Sequence, residues 1–271
     1  MAKKLFREER LQLITELVRS RRKVFVEELA REFEVSPSSI RIDLAELESR
    51  ELLKRTHGGA IAITKLHGRL VTQKSSLELR QAAQQAEKRA IGRATADLID
   101  DGDTLMIDGG STTLHVARHL IDKRGLTVIT TSVSLLPQLM AIPDGRIYVV
   151  GGLLDLRFET LVGDITLEML DRFRTAKAIL GIDGLSLDAG LSVTDPAVAA
   201  SKQKMMRLSD QVIIVCDHTK LDQVCLIPLA PLEEMDYLVT DSAISPAMIE
   251  AVETRGAQVI VAPVEEKNKA G

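Results

Sequence analysis

Apolar positions recur with two different periods along this chain, and the change of period divides it. In the first sixty residues the spacing is helical. Leu11, Ile14, Leu17 and Val18 share one face of RLQLITELVR, and Leu29, Ala30 and Phe33 share one face of VEELAREF. A third helix is predicted within EVSPSSIRIDLAELESR. Ser36 can cap an orphan N–H, and Pro37 suits the first helical position, where its missing donor costs nothing. Ile40, Leu44 and Leu47 then form the buried stripe, leaving Ser38, Ser39, Arg41, Ile42 and Ala45 on the other side. LLKRTHGGAIAI follows, two short apolar runs around Thr56-His57-Gly58-Gly59, which predicts a small hairpin with glycine supplying the turn.

Residues 61–86 lack a clean period, and RQAAQQAEKRA is expected to begin a helix that runs to about Leu98. Beyond it, apolar runs and helical segments alternate. The runs are Thr104–Ile107, Leu126–Thr130, Ile147–Val150, Ala178–Ile182, Val212–Cys216, Tyr237–Thr240 and Val259–Val261. Strands separated by helices indicate βαβ units, so the fold class is α/β: an N-terminal winged helix-turn-helix plus a doubly wound, mainly parallel sheet. Ligands of such sheets sit at the carboxyl ends of the strands. The residues to read there are Asp108-Gly109-Gly110-Ser111-Thr112-Thr113, Thr131-Ser132, Gly151-Gly152, Asp183-Gly184, Asp217-His218-Thr219-Lys220 and Asp241.

Composition narrows the chemistry. With 271 residues, 45% hydrophobic and 27% charged, the chain has enough apolar surface for two globular domains. Aromatic residues are only 3% and Trp is absent, which argues against recognition of nucleic acid by base stacking. Cys216 and Cys225 are the only cysteines and form no CxxC pair, so neither a disulfide framework nor a zinc knuckle is expected. No apolar run suits a signal peptide or a membrane span, and a cytoplasmic location is the expectation. The net charge of −4 is uneven: residues 1–60 carry 13 Lys/Arg against 11 Asp/Glu, and the remainder is net acidic.

Small polar residues with an arginine on the outer face of a short third helix suit a major-groove reader. The groove admits one helix, Arg can bond guanine O6 and N7 in bidentate fashion, and hydroxyls bond phosphates or bases. A plain three-helix domain with a solvated polar face has the same pattern. The hairpin shifts the balance toward DNA, because Lys54, Arg55 and His57 project from it where a wing would meet phosphates.

DGGSTT suggests an anion site. Its glycines admit close backbone approach, and the helix start that follows adds exposed N–H groups and a positive dipole. It is neither a Walker A loop nor a dinucleotide fingerprint, and a glycine turn with a Ser/Thr cap is the simpler alternative. His115 and His119, four apart, have the spacing of a metal pair but no evident third ligand, so solvated or packed histidines are expected. Cys216 ends an apolar strand and reads as core. Lys220 beside Asp217 fits an acid/base pair or a phosphate-binding lysine, and Asp183 and Asp195 are further candidate bases.

The first sixty residues resemble the signature of the DeoR family of bacterial transcriptional repressors. The matching positions are Glu28-Leu29, Val35-Ser36, Ile40-Arg41, Asp43-Leu44 and Arg55-Thr56-His57-Gly58-Gly59-Ala60. Ser39 stands where Thr is usual, Ile42 where a second basic residue is usual, and Glu51 where a Gly is usual. Roughly residues 75–262 resemble the family's sensor domain, similar in fold to ribose-5-phosphate isomerase. That match rests on Glu87-Lys88, Asp101-Gly102-Asp103, DGGSTT, Gly151-Gly152, Gly181-Ile182-Asp183-Gly184, Lys202, Asp217-His218-Thr219-Lys220 and Thr240-Asp241. Thr130-Thr131, Gln84, and Ala197 with Val198 depart from the family's more polar choices.

The resemblance implies a winged helix over 1–63, a connecting segment over 64–86, an effector-sensing domain over 87–265 and a disordered tail over 266–271. It implies DNA contacts from Ser36, Ser38, Ser39, Arg41, Ile42, Lys54, Arg55 and His57. It implies effector contacts from Lys88, Asp108 through Thr113 (Asp108, Gly109, Gly110, Ser111, Thr112, Thr113), Thr131, Gly151, Gly152, Asp183, Lys202, Asp217 and Lys220. The implied function is a DNA-binding repressor of carbohydrate or polyol metabolism genes. It would be a homo-oligomer (dimer or tetramer) released from a double-stranded operator by a phosphorylated sugar or polyol, with no cofactor or metal. The reading from another class is a sugar-phosphate isomerase or deaminase carrying a DNA-binding extension. The loss of acidic groups at Ala197 and Val198 argues against it, since moving a proton α to a carbonyl needs a base.

Overall fold

The computed structural model describes residues 7–21, 23–49, 53–56, 58–61, 69–71 and 77–264. The chain divides into two compact units, 1–65 and 66–271. The expected tail over 266–271 and the position of Glu51 lie outside the described residues.

The first unit runs α1 (Arg7–Arg21), β1 (Lys23–Phe25), α2 (Val26–Glu32), α3 (Pro37–Ser49), β2 (Lys54–Thr56) and β3 (Gly59–Ile61). The three helical stripes meet as predicted: Leu11, Ile14, Val18, Leu29, Ile40, Leu44 and Leu47 form one buried cluster. Ser36 caps α3, its Oγ accepting from Ser39 N at 3.2 Å. The hairpin is present, with a third strand that periodicity did not predict: the three residues of β1 pair antiparallel with β3, which also pairs with β2. This strand explains the second glycine of the hairpin. A Cβ on Gly59 would lie 2.1 Å from the Val24 carbonyl oxygen, while Gly58, at φ +90°, makes the turn. Asp43, 1% exposed, accepts from Arg7 Nε at 3.2 Å and from Arg10 Nε at 2.7 Å, tying α3 to α1.

The second unit begins with β4 (Arg69–Val71), α4 (Leu77–Ala82) and α5 (Gln85–Ala96). The single helix expected here is two helices. Gln84 takes a left-handed conformation (φ 51°), and the Arg80 and Ala83 carbonyls accept from Lys88 Nζ, each at 2.6 Å. A buried ammonium thus satisfies carbonyls that the end of α4 leaves open.

Next come β5 (Thr104–Ile107), α6 (Ser111–His119), β6 (Thr127–Thr130), α7 (Leu136–Leu139), β7 (Arg146–Val149) and the hairpin β8 (Leu153–Asp155) and β9 (Thr160–Val162). Then follow α8 (Asp164–Leu170), β10 (Thr175–Gly181), β11 (Gly184–Ser186), β12 (Gly190–Val193), α9 (Pro196–Arg207) and β13 (Ser209–Val215). The unit closes with β14 (Gln223–Cys225), β15 (Ile227–Ala230), β16 (Tyr237–Asp241), α10 (Pro246–Glu253) and β17 (Gln258–Ala262).

The seven apolar runs become seven strands in one sheet of order β17-β16-β13-β10-β5-β6-β7, parallel throughout. Alternate residues of one strand enter two different cores. Leu105 and Ile107 pack with α5 and α6, and Met106 packs with residues of α9 on the other face. Burial on both faces is why the strands inside the sheet read as continuous apolar runs; the edge strands β7 and β17 are partly exposed. From β5 the chain first winds outward to β7 and then returns to β10 on the other side of β5. The crevice between β5 and β10 is therefore the topological switch point.

Candidate functional site

A cavity of about 130 Å³ opens at that switch point, beyond the carboxyl ends of β5, β10 and β13. Its wall brings together Lys88, Gly109, Gly110, Ser111, Thr112, Asp183, Lys202, Asp217 and Lys220, nine of the residues expected to bind an effector. Helix α6 starts in it. Gly110 offers no side-chain cap, so the N–H groups of the first turn, which no helix can satisfy internally, are left for another acceptor.

Cations converge on the same space, and two of them, Lys202 and Lys88, are held by internal acceptors. Lys202, 3% exposed, donates to the Gly181 carbonyl at 2.9 Å and pairs with Asp108. Lys88 stands 3.9 Å from Asp217. Burial pulls the Lys88 pKa below its ordinary value; Asp217 opposes that shift, and Lys220 and Arg80 add to it. Burial likewise lowers Arg80, with Asp183 opposing.

The carboxylates are committed as well. Asp108 accepts from Gly181 N at 3.0 Å, bridging β5 and β10. Asp183 accepts from Thr194 N and Oγ1, both at 3.1 Å, and Asp217 accepts from Thr219 N at 3.1 Å. Asp195 accepts from Ala197 N at 2.9 Å as the cap of α9, and from Arg157 at 3.1 Å. What the arrangement offers a ligand is positive charge and backbone donors, the chemistry of a phosphate cradle.

An inner compartment adjoins this cavity and shares Arg80, Gly109 and Lys202 with it. Asp108 and Thr131 line it, beside Phe158, Leu161, Val162, Val198 and Met205. Thr131 is fixed there by Thr160, whose Oγ1 donates to its Oγ1 and its carbonyl, both at 3.1 Å. The departures at Thr131 and Val198 therefore fall on one wall.

Three of the expected effector residues, Gly151, Gly152 and Thr113, line neither space. Gly151 and Gly152 belong to the turn after β7. The Gly151 carbonyl accepts from Thr166 at 2.8 Å, and a Cβ on Gly152 would meet Thr166 Oγ1 at 1.9 Å, so close packing on α8 accounts for the glycine. Thr113 is fully buried and its hydroxyl donates back to Gly110 O at 3.1 Å. Sequence reasoning missed Arg80, which lines the cavity from the last turn of α4. It also passed over Thr219, which stands in a stretch singled out at a strand end, and Gly181, which stands in a stretch that carried the resemblance.

In the first unit, Ser36, Ser38, Arg41 and Ile42 are exposed and Ser39 is half-buried; Ile42 is 60% exposed despite being apolar. Arg41 faces Glu27 at 3.8 Å. Arg55 is exposed on β2 near Glu48, whose carboxylate accepts from Arg55 N at 2.9 Å. Lys54 lies on β2, and His57 lies outside the described residues. Cys216 is buried, and its thiol pKa is pushed up, chiefly by burial. Among the described residues no group of three or more His, Cys, Asp or Glu is arranged to hold a metal ion, and no helix is long and apolar enough to cross a membrane.

Two family descriptions match the chain: "DeoR-like helix-turn-helix domain" over residues 10–66 and "DeoR C terminal sensor domain" over residues 83–242. The transcriptional repressor AccR of Agrobacterium fabrum is 35% identical over 84% of this chain and 87% of its own length. The HTH-type transcriptional repressor GlcR of Bacillus subtilis is 32% identical over 97% and 99%. The glycerol-3-phosphate regulon repressor of Escherichia coli is 34% identical over 84% and 88%. Among solved structures, ribose 5-phosphate isomerase A of Methanocaldococcus jannaschii aligns with a TM-score of 0.37 at 15% identity, covering 49% of this chain and 53% of that one.

Proposed function

The chain belongs to the DeoR family of transcriptional regulators, and we propose that it leaves its operator when a phosphorylated sugar or polyol enters the cavity at the head of α6. It is a DNA-binding repressor with a sensor domain, not an enzyme. The observation that carries the effector assignment is the meeting of Lys88, Lys202, Lys220 and Arg80 with the uncapped start of α6 in one cavity. A sugar phosphate places its dianion against the α6 N–H groups and its carbon chain toward the compartment of Val198 and Met205. The relative named for a glycerol-3-phosphate regulon belongs to the same chemical class.

On the DNA side, Arg41 reads a base edge from α3, with Ser38 and Ser39 on neighbouring phosphates or bases, Ile42 against a thymine methyl, and Lys54, Arg55 and His57 on the backbone. The DNA-reading part spans 1–63 and the sensing part 87–265, joined through 64–86. One such module makes few contacts, so two half-sites read by a cytoplasmic homodimer complete the mechanism. A cluster of exposed apolar side chains, Tyr148, Val149, Leu153, Leu154, Leu156 and Ile165, supports self-association through the β7–β9 edge.

Fluorescence anisotropy on DNA flanking the protein's own gene, with a panel of phosphorylated sugars and polyols, tests this reading. Specific binding weakened 5–150-fold by one compound, roughly 1–3 kcal/mol of coupling, is the expected result. Operator affinity unchanged across a saturating panel overturns the effector assignment, and no specific binding at moderate salt overturns the DNA assignment.

A further inference from the structure

The inner compartment limits what the far end of an effector can be. Three of its lining residues, Arg80, Gly109 and Lys202, are shared with the outer cavity and stand where the two spaces meet. Past them the wall is largely apolar. Phe158, Leu161 and Val162 come from the β8–β9 hairpin, and Val198 and Met205 from α9.

The polar groups of this wall are bonded within the protein. Asp108 accepts from Gly181 N at 3.0 Å and pairs with Lys202. Thr160 Oγ1 donates to the Thr131 carbonyl and hydroxyl oxygens, both at 3.1 Å, and Ser201 Oγ donates to the Ala197 carbonyl at 3.3 Å. A ligand hydroxyl that enters gives up its water and meets groups whose bonds are already made, which costs affinity.

Size acts in the same direction. The free volume is about 10 Å³, room for one group the size of a water molecule or a methyl. Ties between the walls oppose widening. Leu161 N donates to the Thr131 carbonyl at 2.7 Å, and Arg157, beside Phe158 in the hairpin, reaches Asp195 at the cap of α9 at 3.1 Å. A terminal hydroxymethyl group brings two non-hydrogen atoms where a methyl brings one.

We propose that the inner compartment selects a phosphorylated ligand whose end remote from the phosphate is a methyl group, which makes the effector a terminally deoxygenated sugar or polyol phosphate. The inference rests on the outer cavity being the phosphate site. Val198, half-buried on α9, is the specificity-determining residue.

Calorimetric titration of the full-length protein with matched pairs tests this, with operator release followed in parallel. Propane-1,2-diol 1-phosphate against glycerol 1-phosphate, and L-rhamnulose 1-phosphate against L-fructose 1-phosphate, each differ by one terminal hydroxyl; inorganic phosphate is the reference. In the pair whose length suits the site, the methyl member should bind about tenfold or more tighter, and Val198→Thr, which adds a hydroxyl at nearly constant size, should reduce that preference to about threefold or less. Val198→Ala, which enlarges the compartment, should reduce it as well, and thermal unfolding checks that each variant is folded. Equal binding within each pair, or tighter binding of the hydroxyl member, overturns the inference and leaves the phosphate site standing. A preference unchanged in both variants also overturns it, by placing the selection elsewhere. If inorganic phosphate binds and neither methyl-terminated compound does, the inference alone falls. If no compound binds, inorganic phosphate included, the phosphate site falls and the inference with it.

Discussion

The two units use charge in opposite ways. On the winged helix, Ser36, Ser38, Arg41, Ile42 and Arg55 stand in solvent: the Arg41 side chain is 58% exposed, with one loose acidic neighbour. In the sensor unit, Lys88 and Lys202 are 3% exposed and tied to internal carboxylates or carbonyls. Exposed cations meet DNA as additive, salt-screened contacts that folding does not depend on. Buried cations are held in place before the ligand arrives, so they belong to the fold as well as to the site. The same residue type therefore carries different consequences on either side of residue 65. Asp43 is the exception on the DNA side: it is a buried carboxylate, and its partners are the arginines of α1.

The sharpest test of the contrast is Lys202→Met. It strands the Asp108 carboxylate in the interior, and one partner of a buried pair removed costs about 3–5 kcal/mol. Denaturant unfolding should show that loss together with a loss of effector response. The double change Lys202→Met with Asp108→Leu should recover most of the stability and none of the response. Stability unaffected by the single change would mean that the cation is not part of the fold.

Next in size is a pH effect confined to the sensor unit. The His115 pKa falls from 6.5 to about 4 on folding, so the unfolded chain binds the proton more readily. The histidine therefore favours the folded state in full above about pH 6.5, and that advantage is lost as pH falls toward 4. The shift corresponds to at most about 3 kcal/mol. Thermal unfolding of wild type and His115→Gln between pH 7 and 4 should show the wild type losing more stability. Parallel curves would remove the histidine from the account.

What the sequence makes legible follows the same division. The parallel strands were readable because those inside the sheet are buried on both faces and so form apolar runs, while the edge strands β7 and β17 keep apolar residues although they are partly exposed. The face of α3 was readable because one stripe, Ile40, Leu44 and Leu47, fixes the rest of the helix. Contacts that depend on distant partners were not readable. Strand β1 has three residues, too few for a period, and exists through pairing with β3. Arg80 lines the cavity from the last turn of α4, which ends short of α5 at a break held by an ammonium several residues on. Asp43 belonged to a recognisable motif, but its arginines lie more than thirty residues earlier. Gly59 and Gly152 show that a glycine pair has more than one cause: each is required by a neighbour's approach, one by Val24 and the other by Thr166.

On the exposed side the expected losses are in binding alone. Arg41→Ala should cost about 1–3 kcal/mol of operator affinity and relax the preference at one base pair. Its unfolding free energy should stay within about 0.5 kcal/mol of wild type, because no buried group loses its partner. A uniform loss over all DNA sequences would place Arg41 on a phosphate.

The smallest effect is also the most specific to this chain. Ile42 is 60% exposed on the outer face of α3, one residue from Arg41. An exposed isoleucine there contributes no counterion release, so Ile42→Arg should add one phosphate contact and steepen the dependence of log affinity on log salt by about 0.9. If the isoleucine instead packs on a thymine methyl, the same change should lower the preference for that base while raising affinity for unrelated DNA. The two outcomes separate in one salt series on operator and scrambled duplexes, since the first moves both slopes alike and the second also narrows the gap between them. A variant with neither change would take Ile42 off the DNA, and α3 would then meet the groove through Arg41 and the serines of its first turn.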